Sequence, residues 1–241
     1  MTLTQDWAGL AGRLDAALTP TAPAVAITFS DAPLAGVAPF DAPMPAPTED
    51  GRTGRVPAGC VFWMRGTERT FTTVADDHRN CSVGSWTHGF IPLDEAASNG
   101  DVAALMESGW VTMDMIPAIP TVQEKPGAIT YGPLVETPVD PDVVLLRLRP
   151  SALMVLSDAL PGLRIEGKPQ CHIVAAAKEH GDVVASVGCQ LSRIRTAMPP
   201  TDTTCAIPGS RLAEVVEVVE RTRATDDVVA RYAAEDAARF R

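Results

Sequence analysis

Two stretches of this chain follow one plan. A cysteine opens an apolar run, a turn leads into a β-rich run, and a second cysteine closes the stretch beside a glycine. The first goes from Cys60 through Val61-Phe62-Trp63-Met64 and Thr70-Phe71-Thr72-Thr73-Val74 to Cys81 and Gly84. The second goes from Cys171 through His172-Ile173-Val174-Ala175-Ala176, a His180-Gly181 turn and Val183-Val184-Ala185-Ser186-Val187 to Gly188-Cys189. Such a recurrence predicts two similar halves packed about a pseudo-twofold axis, an arrangement that brings all four sulfurs to one place.

The fold class expected is α/β or α+β, with the halves (1–135 and 136–241) forming one compact unit and helices at the C-terminal end. With 241 residues the chain is long enough to bury a substantial shared core. The formal charge of −10 argues against nucleic acid as a partner, since such surfaces are basic. No apolar run approaches the roughly 20 residues that span a bilayer, and the N-terminus lacks a basic segment followed by an apolar one. These features predict a soluble, cytoplasmic protein that meets small molecules or a redox partner protein. In a reducing compartment its five cysteines are expected as free thiols, metal ligands or redox groups rather than disulfides.

Helical spacing of Trp7, Leu10, Leu14 and Leu18 predicts an amphipathic helix. The runs 24–29 and 142–148 read as buried strands, the second the counterpart of the first, while the prolines between Pro33 and Pro57 predict a long irregular excursion or flap. Asp94–Ala97 and Asp101–Met106 predict two short helices, Ile116–Pro120 a stiff apolar wall, and 127–141 a strand with its connector. Ser151, Ser210 and Thr225 are placed to cap helices, the last two giving separate C-terminal helices.

Cys60, Cys81, Cys171 and Cys189 are the candidate ligands. Four soft sulfurs suit an iron–sulfur cluster, or zinc as the alternative, without local CxxC spacing if the fold brings them together. Cys60 and Cys171 precede helical runs, where backbone N–H groups favour a thiolate. Ordinary core packing is the competing account of these residues. Cys205 falls outside the repeated plan and reads as structural.

These motifs carry a resemblance over most of the chain. Cys60-Val61-Phe62-Trp63, His78-Arg79-Asn80-Cys81-Ser82-Val83-Gly84, Cys171, Ser186-Val187-Gly188-Cys189 and Ile207-Pro208-Gly209 resemble the ArCR family, domain-of-unknown-function family 169. The resemblance implies that the four thiols form a set and leaves their chemistry open.

Around the thiols, His78 is the candidate proton-transfer residue, with His172 a weaker one. Gly84 and Ser85 offer an anion cradle, Trp63 an apolar wall and Arg193 a carboxylate or phosphate contact; Arg195 has the same character. Asp76-Asp77 reads as a solvated turn, and His88 and His180 as loop residues. Walker, dinucleotide, hydrolase-elbow and HExxH patterns are missing. The sequence thus predicts a cluster or zinc protein. Four ligating thiols favour electron transfer or structural stabilisation; three would leave iron open for Lewis-acid chemistry on a small molecule. Two other readings are a small-ligand-binding or redox-sensing module and a thiol enzyme using Cys81 or Cys189.

Overall fold

The computed structural model describes residues 3–41 and 60–240, so most of the expected 33–57 excursion lies outside the described residues. Its opening part runs to the sheet, where Pro39 forms a parallel bridge with Thr72 and Phe40 is buried.

The chain begins with α1 (Trp7–Leu18) and β1 (Ala22–Ser30), followed after the undescribed segment by α2 (Cys60–Arg65) and β2 (Phe71–Thr73). Three helices come next, α3 (Ser82–Thr87), α4 (Leu93–Ser98) and α5 (Gly100–Glu107), before β3 (Ala128–Pro133). The remainder is β4 (Val143–Leu148), α6 (Pro150–Ala159), β5 (Arg164–Glu166), α7 (His172–His180), β6 (Val184–Ser186), α8 (Gln190–Thr196), β7 (Thr203–Pro208) and α9 (Leu212–Ala237). The described strands form one sheet in the order β2-β3-β1-β4-β7-β6-β5. Every neighbour pair is antiparallel except β5 with β6. This is a mixed α/β fold.

Both faces of the sheet are covered, and the side-chain alternation of a strand assigns each residue to a face. On β4, Val144, Leu146 and Leu148 join the core made with α1, α6 and α9, which includes Leu14, Leu156 and Val216. Val143 and Leu145 point the other way, into a core with Ile27, Phe62, Phe71, Tyr131, Ile173 and Val174. Each core draws on residues from both ends of the chain. Full burial of one such aliphatic side chain stabilises by about 1.5–3 kcal/mol.

The strands at the centre are the two expected ones: β1 and β4 pair directly, with Ala26 opposite Val144. Neighbours then run outward as β3 and β2 from β1, and as β7 and β6 from β4. Within each flank the order cysteine, helix, strand, cysteine, helix recurs. In the first flank it is Cys60, α2, β2, Cys81 and α3; in the second it is Cys171, α7, β6, Cys189 and α8.

Three capping expectations are corrected. Helix α6 starts at Pro150, whose fixed φ suits the first helical turn, so Ser151 lies inside it. Ser210 belongs to a 3-10 turn ahead of α9, not to a side-chain cap. The two expected C-terminal helices are one 26-residue helix. In its middle the Thr225 hydroxyl donates back to the Arg221 carbonyl at 3.2 Å, satisfying itself within the helix instead of starting a new one. The first turns of α9 bury Leu212, Val215, Val216 and Val219, whereas Val228, Val229 and Tyr232 are exposed.

Candidate functional site

The four cysteines of the repeated plan line one cavity. Cys60 opens α2, Cys81 caps α3, Cys171 precedes α7 and Cys189 precedes α8. The space is completed by Val83, Gly84, Trp110, Pro169, Gln170, Leu191, Ser192 and Arg195. The turn from β6 to Cys189 passes through Gly188 at φ 86°, a left-handed conformation that glycine adopts without a Cβ penalty. All five cysteines are free, and Cys205 is fully buried on β7 within the opposite core, as a packing residue.

Burial sets the chemistry of these sulfurs more than the helix ends do. The Cys60 thiol is pushed up to about 12 by burial, then by the nearby sulfurs of Cys81 and Cys189, with Arg195 acting in the opposite sense. Cys171 is raised well above the usual thiol range, first by burial and then by Cys81, while a hydrogen bond with Thr87 opposes the rise. The expectation that a helix start would make Cys60 and Cys171 thiolates is therefore corrected: desolvation outweighs the dipole. Without a cation between them, these two sulfurs keep their protons.

Cys81 has a different setting. Its Sγ accepts from Arg195 Nη1 at 3.0 Å and from the Gly84 backbone N–H at 3.4 Å. Arg195 reaches across from α8, and its charge is favoured by the sulfurs of Cys81 and Cys60 against the opposing cost of burial.

Other candidates take different places. His78 is fully buried, with Nε2 at 3.0 Å from Thr73 Oγ1 and its ring 4.7 Å from that of Phe62 and 4.5 Å from that of Phe90. It is outside the residues lining the thiol cavity. Burial, and next the neighbouring His88, hold it well below the ordinary histidine range, so it is a neutral member of an aromatic core. Trp63 lines an adjoining cavity that shares Cys60 and Gln170 with the thiol cavity. Arg193 is spent on backbone carbonyls of Val187, Pro199 and Asp202, tying the chain on either side of α8 together.

The anion cradle expected around Gly84 and Ser85 is corrected. Those residues form α3, and two of its N-terminal donors are already engaged: Ser82 N–H donates to Asp101 Oδ2 and Gly84 N–H to Cys81. The Ser85 hydroxyl donates to the His78 carbonyl at 2.6 Å. Gly84 does line the cavity, as backbone wall. Asp76 and Asp77 lie in a 3-10 turn, where the Asp77 carboxylate accepts from Val74 N–H. His172 is buried with its Nε2 3.8 Å from Glu166. His88, expected in a loop, is buried, with Nδ1 2.7 Å from the Gly84 carbonyl. Trp110, Gln170 and Leu191 escape a reading of the sequence because nothing in their local pattern marks them; each is brought in by a neighbouring turn or helix.

The fold and this cavity define a mixed α/β protein with four cysteines gathered from four chain segments. The chain belongs to the family described as uncharacterised ArCR (DUF169), whose model matches residues 13–218. No curated protein and no solved structure matches it.

Proposed function

We propose that the protein binds an iron–sulfur cluster through Cys60, Cys81, Cys171 and Cys189. The observation carrying this reading is that these four thiols, up to 129 positions apart, line one cavity. Four thiolates are the usual donor set for such clusters and also for structural zinc. As they stand, no three His, Cys, Asp or Glu side chains among the described residues are arranged to hold a single metal ion. The same four thiols suit a cluster or zinc, and metal analysis separates the two. We read the two Cys–helix–strand–Cys units as copies of one element that each supply two ligands.

A bound cluster supplies one-electron transfer. The protein's part is to hold the sulfurs, exclude water with Val83, Trp110 and Leu191, and offset negative charge with Arg195 and the Gly84 N–H. A redox partner protein or a small molecule would exchange electrons with it in the cytoplasm, where free thiols persist. No helix among the described residues is long and apolar enough to cross a membrane.

Anaerobic purification with iron and acid-labile sulfide analysis tests the reading. The expected result is a brown protein containing both, with loss of iron in Cys→Ser variants at 60, 81, 171 and 189 and retention in Cys205→Ser. Iron-free, colourless wild-type protein overturns it, and zinc alone moves the assignment to a structural site. A second reading, a thiol enzyme, is favoured by the paired donors on Cys81 Sγ; it requires metal-free protein with one fast-reacting cysteine.

A further inference from the structure

The thiol cavity has an outer neighbour. A groove of about 190 Å³ is lined by Cys81, Val83, Gly100, Asp101, Ala104, Leu105, Leu191 and Arg195. Cys81, Val83, Leu191 and Arg195 also line the inner cavity, so these four form the wall between the two spaces. Cys60, Cys171 and Cys189 face only the inner one. A molecule in this groove lies beside Cys81 and Arg195 and not beside the other three sulfurs.

Arg195 is incompletely used. Its Nη1 donates to Cys81 Sγ, and among the described residues that is its one hydrogen bond. By contrast, Arg193, two positions earlier, is spent on three carbonyls. The Nη2 and Nε edge of Arg195 is left as a two-donor fork, the geometry that matches a carboxylate. Asp101, which lines the same groove and favours the Arg195 charge, makes no hydrogen bond to it and accepts instead from Ser82 N–H, Ser82 Oγ and Val102 N–H. Val83, Ala104, Leu105 and Leu191 give the rest of the groove an apolar wall.

We infer that this groove binds a small organic carboxylate, its carboxyl group on the free edge of the Arg195 guanidinium and its hydrocarbon end against Ala104 and Leu105, with the bound molecule next to Cys81. Such binding does not depend on what the four thiols hold.

The test is a titration of anaerobically purified protein with butyrate, followed by saturation-transfer NMR, with n-butanol as the uncharged control of similar shape. Saturable butyrate binding without n-butanol binding is expected. It should weaken at least tenfold in Arg195→Gln, partly recover in Arg195→Lys, and weaken in Ala104→Trp. The last fills the groove from an exposed helix position and leaves the Arg195 side chain itself unaltered, so it reports even if Arg195→Gln misfolds. No saturable butyrate binding, equal binding of n-butanol, or unchanged affinity in Ala104→Trp overturns the inference. Iron analysis of the same samples reports separately on the cluster, so either proposal can fail while the other stands.

Discussion

The Arg147 guanidinium and the Asp202 carboxylate form an ion pair at 2.9 Å inside the protein, their side chains only 13% and 5% exposed. Arg147 lies on β4 and Asp202 just before β7, and Asp202 also accepts from the Thr21 hydroxyl at 2.8 Å. The cluster of contacts ties the start of β1 to β4 and to the start of β7. Removing one partner strands a buried charge, which costs more than the pair contributes. Asp202→Ala is expected to lose about 3–5 kcal/mol of folding stability, and the double variant combining Arg147→Met with Asp202→Ala less than the sum of the single losses. Urea unfolding of the three variants checks this.

The core facing α1 and α9 gives a sharper contrast. Leu146 is completely buried, while Val228 is 56% exposed on the outer half of α9. Leu146→Ala should cost about 2–5 kcal/mol through lost contacts and the cavity left behind. Val228→Ser should stay within about 0.5 kcal/mol. Thermal and denaturant unfolding distinguish the two sites.

Alkaline pH should loosen the fold through Cys205. Burial pushes its thiol up to about 12 from an ordinary value of 9.0, so between those values the native state holds a proton that the unfolded chain has released. Stability present below pH 9 is lost as pH rises through this window, by up to about 1.4 kcal/mol per pH unit for one thiol. Urea titrations at pH 8.5, 10 and 11 should show a shallower decline in Cys205→Ala than in wild type.

On the acid side the buried histidines act in the opposite sense. Burial holds His88 at about 4, against 6.5, despite the Gly84 carbonyl, and holds His78 well below 6.5. The unfolded chain therefore binds protons that the native state refuses, and stability falls as pH drops from 6.5 towards 4. His88→Gln is expected to flatten that fall by up to about one proton's worth, or ~1.4 kcal/mol per pH unit. Unfolding midpoints at pH 7, 6, 5 and 4.5 measure it.

Long, strongly patterned segments are legible from residue order. The spacing of Trp7, Leu10, Leu14 and Leu18 gives α1, and the apolar runs at 24–29 and 142–148 give the central strands. Helix ends are harder to read, because Ser151, Ser210 and Thr225 have cap-forming side chains whose use depends on neighbours. Between Leu212 and Ala237 there is neither glycine nor proline to stop α9. The repeated context of the four thiols marks them as a set, yet the helix starts mislead about the protonation of Cys60 and Cys171, since burial belongs to the packed structure and not to the local sequence. Residue order favours Arg193, whereas Arg195 makes the contact. Two positions apart on a helix, they project about 200° from each other, and only the packed helix shows which one faces the thiols.

The pairing of β1 with β4 at the middle of the sheet has a consequence for any attempt to take the molecule apart. Cleavage in the connector between β3 and β4 would not release two working pieces, because each fragment would carry one raw hydrogen-bonding edge and only half of the sulfur set. The protein is thus a single covalent clasp, closed by its own central seam, and cannot be trimmed to a portable cysteine motif for grafting elsewhere.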